Sequence, residues 1–357
     1  MKFPLITSRQ INIPYLLKIG NGKIAKIGKY LVDKDMTKVA VFWGEGMPQL
    51  LGKNFYAGLN EHKIDIVYEQ IVEDIAIETI TSTAFGLSSS VKAIVGIGGG
   101  KALDFAKYTA YLLRLPYISV PSSTSNDGFC SPSSSLTVAG ARKTVKSSIP
   151  YGVVVDLDVI ASSPKAFIYS GVGDMFSKIS ALWDWKQAFL KGYERYNDFA
   201  SMLSYNSLDL LYLRHSADIN SPQFQRSLVN SLLYSGIAME IAGTSRPASG
   251  SEHLISHALD KISERPQLHG IQVGVAGYLC SILQNNPAVS GLREVLTQIG
   301  FFDFAANNPL RKDEFVEALR IAPTIKKDYY TILSDKGSFE RAVQAISEDS
   351  ILRRLIV

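Results

Sequence analysis

The stretch Ala93-Ile-Val-Gly-Ile-Gly-Gly-Gly-Lys-Ala-Leu-Asp-Phe-Ala-Lys107 places an apolar run, three consecutive glycines and a helical pattern in direct succession. The apolar run is typical of a buried strand, and glycines let the backbone turn and approach a ligand closely. Amides at the start of the following helix attract an anion such as a pyrophosphate. The stretch therefore predicts a strand, a phosphate-binding turn and a helix; a tight turn without a ligand is the alternative.

The same alternation extends to both sides of this stretch. Besides 93–97, apolar runs predict strands at 39–43, 64–68, 117–120 and 153–155. Apolar residues at helical spacing predict helices at 47–61, 74–88 and 101–114. Strands separated by such helices indicate a parallel sheet with helices on both faces. Residues 133–148 interrupt the alternation and predict a hairpin that turns at Gly140.

The character of the chain changes near residue 160. From about residue 162 onward, long helical patterns dominate and strand signals disappear. We therefore expect two domains, an α/β domain at 1–160 that binds a dinucleotide and an all-α domain at 161–357.

The composition is that of a folded globular protein, and 357 residues are enough for two cores. Charged residues make up 20% of the chain and the formal net charge is +4, a balance that does not indicate a nucleic-acid partner. No apolar run is long enough to span a bilayer, and the N-terminus lacks a signal-peptide pattern. Two cysteines, Cys130 and Cys280, are too few for a disulfide framework. We therefore expect a cytoplasmic protein, and leave a homo-oligomer open.

A serine-rich loop follows the strand at 117–120. It reads Pro121-Ser-Ser-Thr-Ser-Asn-Asp-Gly-Phe-Cys-Ser-Pro132 and carries hydroxyls, an amide and a carboxylate. Because ligands bind at the carboxyl ends of parallel strands, the loop is expected beside the glycine turn. A solvent-exposed turn is the alternative.

Two histidines lie four residues apart in Gly243-Thr-Ser-Arg-Pro-Ala-Ser-Gly-Ser-Glu-His-Leu-Ile-Ser-His257. Pro247 and Gly250 do not continue a helix, so the helix is predicted to begin near Ser251. Its spacing puts His253 and His257 on one helix face, which is either a pair presented to a cleft or an ordinary polar face.

Asp174 and His269 add to this histidine pair. Asp174 stands where a helix is expected to begin, so a helix cap is one interpretation. Together with His253 and His269 it offers one oxygen and two nitrogen ligands, a set suited to catalytic Zn²⁺ with a position left open for substrate.

At these motifs the chain resembles the sn-glycerol-1-phosphate dehydrogenases. They belong to a wider group with glycerol dehydrogenase, iron-containing alcohol dehydrogenases and dehydroquinate synthase. The resemblance covers nearly the whole chain, and its most specific motif is Ser-Arg-Pro-Ala-Ser-Gly-Ser-Glu-His at 245–253. The other matching motifs are the glycine turn at 96–107, Ser-Asn-Asp-Gly at 125–128, Val-Asp-Leu-Asp-Val-Ile at 155–160, Gly-Asp at 173–174, Asp-Trp-Lys at 184–186, His-Gly at 269–270 and Tyr-Thr-Ile-Leu at 330–333.

The resemblance implies a Rossmann-like, dehydroquinate-synthase-like first domain and a helical second domain. It also implies a metal-dependent enzyme that interconverts sn-glycerol 1-phosphate and dihydroxyacetone phosphate with NAD or NADP. The implied metal ligands are Asp174, His253 and His269, and the implied catalytic residues are Asp127, Asp174 and His257. The implied cofactor contacts are Gly98, Gly99, Gly100, Lys101, Ala102, Leu103, Asp104, Ser122, Ser123, Thr124, Ser125 and Ser131.

Two positions depart from the family pattern. Lys178 stands where iron-dependent relatives have a histidine, which favours Zn²⁺ over Fe²⁺, with Ni²⁺ as a further alternative. Ile271 stands where an acidic residue is expected, and this change affects the expected support of the metal ligands.

The substrate phosphate needs cationic donors, and Arg246, Lys178 and Lys143 are candidates unless they are ordinary surface charges. Glu45 is a candidate to bind a ribose hydroxyl and so to favour NAD. Three other functions stay open: a glycerol or other polyol dehydrogenase, a dehydroquinate-synthase-like cyclase, and a catalytically silent nucleotide-binding protein.

Overall fold

The structure is a computed structural model that describes residues 10–212 and 217–357. The chain divides into two compact units, Ile11–Ser163 and Pro164–Val357, and Gln10 groups with the second. Residues 1–9 of the predicted first domain lie outside the described residues. Within the described ranges, no helix is long and apolar enough to cross a membrane.

The first unit contains eight described strands and five α-helices. The strands are β1 Leu16–Gly20, β2 Lys38–Trp43, β3 Asp65–Ile71, β4 Ala93–Gly98, β5 Tyr117–Pro121, β6 Ser133–Val138, β7 Ala141–Lys146 and β8 Gly152–Asp156. The helices are α1 Ile27–Val32, α2 Met47–Glu61, α3 Ile77–Gly86, α4 Gly100–Leu113 and α5 Leu157–Ser162.

Six of the strands form one sheet in the order β1-β8-β5-β4-β2-β3, and every pairing in it is parallel. This confirms the predicted parallel sheet, whose five expected strands are β2, β3, β4, β5 and β8. The edge strand β1 was not predicted. The remaining two strands, β6 and β7, pair as the predicted antiparallel hairpin, with Gly140 in a left-handed conformation at its turn.

Helices cover both faces of the sheet, because alternate residues of each strand point in opposite directions. In β2, Val39, Val41 and Trp43 pack into the core that holds the apolar side chains of α1 and α2. Ala40 and Phe42 pack into the second core with those of α3 and α4. Both faces of β2 are therefore buried, which explains its uninterrupted apolar sequence.

The second unit is helical. Its helices are α6 Lys165–Phe176, α7 Lys178–Leu190, α8 Asp198–Tyr212, α9 Pro222–Ala242, α10 Ser251–Ile262, α11 His269–Leu283, α12 Val289–Ile299, α13 Phe301–Ala306, α14 Lys312–Ile321, α15 Ser338–Glu348 and α16 Leu352–Leu355. Helix α10 begins at Ser251, as predicted. The described part of this unit has no strand, and an isolated parallel bridge joins Leu310 to Ile356.

Candidate functional site

The loops that follow β2, β4 and β5 lie side by side at the carboxyl end of the sheet. The backbone N–H of Gly44 donates to Ile97 O at 2.8 Å, and that of Ser122 donates to Gly98 O at 3.0 Å. Gly98 has φ +140°, and a Cβ added there would lie 3.0 Å from Gly44 N. Only glycine fits this close approach. The fold therefore brings the glycine turn and the serine-rich loop together, as the sequence predicts.

The turn between β4 and α4 leaves open space beside the helix start. A Cβ added at Gly99 or Gly100 would meet no other described atom within 4 Å. Lys101 is exposed on the first turn of α4, whereas the side chains of Ala102 and Leu103 are buried in the core. Backbone amides at a helix start with space before them suit a phosphate group.

Asp104 is used within the protein. Its Oδ2 accepts from the backbone N–H of Ser135 at 3.1 Å, and its Oδ1 pairs with Lys107 Nζ at 3.2 Å. The buried Lys107 ammonium also donates to Gly128 O and to Ser133 O, each at 2.7 Å. These bonds hold the hairpin and the Asp127 turn against α4. Asp104 therefore helps to hold the loop, and its implied contact with the cofactor stays a prediction.

Asp127 begins a 3₁₀ turn, Asp127–Phe129, in the serine-rich loop. Asn126 Oδ1 accepts from the Gly128 N–H at 2.9 Å and fixes that turn. Asp127 is half-buried, as are Ser122, Ser123 and Ser125. Thr124 is buried, and its hydroxyl has no hydrogen-bond partner among the described residues. A buried hydroxyl without a partner is costly, so Thr124 is a good candidate to contact a bound ligand.

Ser131 lies in the same loop, below this surface. It is buried, and its hydroxyl donates to Ser133 O at 3.0 Å. Glu45 is exposed and lies two residues after the end of β2, at the same end of the sheet. Their contacts with a nucleotide stay predictions.

In the second unit, Asp174, His253 and His269 converge from three helices. Each offers one ligand atom, and these atoms all lie within 4.8 Å of one another. His253 Nε2 is 3.8 Å from Asp174 Oδ1, and the ring centroids of His253 and His269 are 5.0 Å apart. Asp174 lies within α6, so the helix-cap interpretation is wrong.

The Nδ1 atoms of His253 and His269 each have a hydrogen-bond partner. His253 Nδ1 is 2.8 Å from Glu252 Oε1, and His269 Nδ1 is 3.1 Å from Ser256 Oγ. Ser256 Oγ donates to Gln272 Oε1 at 2.6 Å, so its oxygen is left to accept from His269. These partners assign the proton to Nδ1 of both rings, so that Nε2 is the nitrogen whose lone pair is able to bind an ion. The donor set and its supporting bonds therefore fit a divalent metal ion.

The sequence did not reveal Glu252, Ser256 and Gln272 as supporting residues. Two signals were available, because Glu252 immediately precedes His253 and Gln272 lies one helical turn after His269. Glu252 and Ser256 bond the histidine rings directly, and Gln272 accepts from Ser256. Ile271 itself is buried in α11.

Lys178, at the position where a histidine is expected in iron-dependent relatives, lies four residues after Asp174. It is fully buried, and its Nζ lies 3.2 Å from Asp174 Oδ1 and donates to Asp174 O at 2.8 Å. The ammonium therefore balances the Asp174 carboxylate and does not leave it as an isolated buried charge.

Asp184 joins three segments that carry family motifs. It is buried and accepts hydrogen bonds from the backbone N–H groups of Ser251 and Ile332, each at 2.8 Å, and from Gln284 Nε2 at 3.1 Å. Burial and the nearby Glu252 carboxylate raise the pKa of Asp184 to about 7. The bond to the Ser251 N–H fixes the start of α10, two residues before His253.

His257 is half-buried on α10, one turn after His253. Its ring centroid is 6.1 Å from that of His269 and 6.3 Å from that of His253. It is therefore close to the cluster without belonging to the set of three ligands. Its implied role as a catalytic residue stays a prediction.

The predicted phosphate-binding cations have other surroundings. Arg246 is buried and forms a two-bond pair with the Glu194 carboxylate, while its Nη1 donates to Tyr330 O at 2.8 Å. Lys143 is exposed on strand β7 of the first unit. The interpretation of Arg246 as an ordinary surface charge is therefore wrong. Its charge is balanced by the Glu194 carboxylate.

Comparison with known proteins adds relatives that match almost the full chain. Glycerol-1-phosphate dehydrogenase, NAD(P)+, of Metallosphaera sedula is 33% identical over 348 residues, which cover 95% of this chain and 97% of that protein. The enzyme of the same name from Methanothermobacter thermautotrophicus is 34% identical over 345 residues, which cover 95% of this chain and 98% of that protein.

A family model and a solved structure agree with these relatives. The model of iron-containing alcohol dehydrogenases matches residues 18–164. The crystal structure of glycerol dehydrogenase from Schizosaccharomyces pombe has a TM-score of 0.78 at 20% identity and covers 99% of this chain and 93% of its own. That likeness concerns the fold alone, whereas the identity to the two relatives above decides the family: the chain belongs to the glycerol-1-phosphate dehydrogenases.

Proposed function

We propose that this protein is a metal-dependent oxidoreductase that reduces dihydroxyacetone phosphate to sn-glycerol 1-phosphate with NADH or NADPH, and catalyses the reverse reaction. The observation that carries the proposal is the convergence of Asp174, His253 and His269 within 4.8 Å. The names of the relatives support the substrate and the cofactor. The two free, buried cysteines are consistent with the cytoplasmic location that we also propose.

We propose Zn²⁺ as the ion, because Lys178 stands in place of a fourth imidazole. Asp174, His253 and His269 would hold it. A divalent cation there supplies Lewis-acid polarisation of the substrate oxygen. Glu252 and Ser256 keep the two imidazoles in the tautomer and orientation that this binding needs.

Other residues bind the dinucleotide, transfer a proton or orient the substrate. Gly98, Gly99 and the start of α4 bind the pyrophosphate of the dinucleotide, and the Thr124 hydroxyl gains a partner there. His257 gives a proton to the alcohol oxygen during reduction and takes it back during oxidation, because an imidazole titrates near neutrality. Asp127 orients the substrate from its fixed turn.

A substrate panel tests the proposal. We expect zinc-loaded protein to oxidise NADH or NADPH when dihydroxyacetone phosphate is added, and to reduce NAD or NADP with glycerol 1-phosphate in preference to glycerol and glycerol 3-phosphate. The absorbance of the reduced nicotinamide follows the reaction. A cyclase would give no net change in this absorbance.

Asp174→Asn tests whether Asp174 binds the metal. It keeps the size of the side chain and removes the charge, so we expect loss of both bound zinc and turnover. Zinc-loaded wild-type protein that does not reduce dihydroxyacetone phosphate but reduces another ketone well would contradict the proposed substrate. Full zinc content in Asp174→Asn would remove that residue from the ligands.

A further inference from the structure

A substrate phosphate needs a cation whose charge is not already balanced. Arg246 is paired with Glu194, and Lys178 with Asp174. A carboxylate held this close competes with an incoming phosphate for the same donors. The cations that the sequence suggests in the second unit are therefore poor phosphate ligands, although the metal cluster lies in that unit.

Lys326 differs from both of these cations. It is half-buried, and its Nζ lies 3.5 Å from Ser245 Oγ and 4.5 Å from the centre of the Tyr329 ring. None of the described carboxylates forms an ion pair with it. Burial and the neighbouring Arg246 guanidinium lower the pKa of Lys326 to about 8. An ammonium in such surroundings is stabilised when an anion binds beside it.

The neighbours of Lys326 belong to the segment that leads to the metal ligands. Ser245 lies in residues 243–250, which run directly into α10 and His253. The Tyr329 hydroxyl donates to Ser249 O in the same segment. The 3₁₀ turn Ala322–Thr324, two residues before Lys326, packs against α10. Lys326 therefore lies next to the loop that positions His253, and the Glu252 charge acts on it.

We propose that Lys326, with the Ser245 hydroxyl beside it, binds the phosphate group of the three-carbon substrate. The inference rests on the proposed function and adds the residues that distinguish a phosphorylated ketone from its unphosphorylated counterpart. A lysine ammonium is a compact charge that binds a phosphate dianion well, and the hydroxyl adds a second donor. Residues that contact only the phosphate contribute to substrate binding more than to the chemical step.

The experiment compares Lys326→Met with Lys327→Met. Lys327 is the adjacent residue and is exposed, so the control removes the same charge one position away. For Lys326→Met we expect the KM for dihydroxyacetone phosphate to rise about 10- to 100-fold, as for loss of a charged hydrogen bond, with kcat nearly unchanged. Inhibition by inorganic phosphate should weaken by a similar factor. The kcat/KM for dihydroxyacetone should stay at the wild-type level, and Lys327→Met should change none of these values.

Ser245→Ala is a milder second variant in case Lys326→Met does not fold. It keeps the ammonium and removes one neutral donor, so we expect a KM about 2- to 10-fold higher. Zinc content and the thermal unfolding transition report whether each variant is folded.

Two results would overturn the inference. One is folded Lys326→Met with the KM and the phosphate inhibition of the wild type. The other is Lys327→Met with a rise in KM as large as that of Lys326→Met. Failure of the proposed function is seen separately, as wild-type protein that does not reduce dihydroxyacetone phosphate. In that case calorimetric titration with inorganic phosphate still tests the inference. The wild-type protein should bind phosphate, and Lys326→Met should not.

Discussion

Glu252 acts on the metal cluster through His253. Its Oε1 accepts from His253 Nδ1 at 2.8 Å, while its Oε2 accepts from Ser180 Oγ at 2.7 Å. A carboxylate in this position fixes the ring and makes its other nitrogen a better ligand. The carboxylate is buried, and burial raises its pKa above the ordinary value, although the hydrogen bonds from Ser180 Oγ and the Gly250 N–H act in the opposite direction. These hydrogen bonds therefore hold this buried carboxylate in one position against His253.

We expect Glu252→Gln to weaken zinc binding about 10- to 100-fold, because the amide keeps the hydrogen-bond acceptor but loses the charge. Competition with a chromophoric chelator measures this affinity. Glu264→Gln is the control, since Glu264 is an exposed acid in the same unit. Equal zinc affinity in wild type and Glu252→Gln would show that the carboxylate does not support the ligand.

At the residue level the sequence predicted the three candidate metal ligands but not the residues that hydrogen-bond to them. Asp174, His253 and His269 are recognisable because metal ligands belong to few residue types. Ser256 carries no such signal, and its bond to His269 joins two helices. Lys326 was missed for a similar reason: the Ser245 hydroxyl beside it lies 81 residues earlier in the chain, and only the fold brings the two together.

Helices α6 and α11 approach closely enough to bring Asp174 and His269 together. Glycines adjacent to both ligands lie at this contact. A Cβ added at Gly173 would lie 2.0 Å from Gly270 O, and one added at Gly270 would lie 1.7 Å from Ser170 O. Any side chain at these positions would force the two helices apart. The glycines therefore set the distance between the two proposed metal ligands on these helices.

We expect Gly270→Ala to lower the free energy of unfolding by roughly 1–3 kcal/mol or more and to reduce zinc content, because the ligands separate. Gly86→Ala is the control: it ends α3, and a Cβ there meets no other described atom within 4 Å. Denaturant unfolding and metal analysis measure the two effects. Full zinc content with wild-type stability in Gly270→Ala would contradict this account of the helix contact.

At the level of elements, local patterns predicted most of the first unit. Helix α2 has the predicted bounds, and α3 is shorter than predicted by a few residues at its ends. Strand β1 was missed because its sequence, Leu-Leu-Lys-Ile-Gly, has no alternation and its pairing is with β8, far along the chain. Such non-local pairing leaves no local signal.

On the scale of the whole molecule, the predicted residues divide between the two units. The chain passes from the first to the second between Ser163 and Pro164, near the predicted boundary at residue 160. The glycine turn and Asp127 belong to the first unit, and the three proposed metal ligands belong to the second. The sequence predicted the parallel sheet and the helical second part because the period of the apolar pattern changes between them.

The central claim is that one ion bound by Asp174, His253 and His269 is required for reduction of dihydroxyacetone phosphate. The most direct test titrates zinc into chelator-treated protein and follows bound zinc and NADH or NADPH oxidation in the same samples. We predict that both rise together and saturate at a single ion per chain. Full dihydroxyacetone phosphate reduction by metal-free protein would contradict the claim.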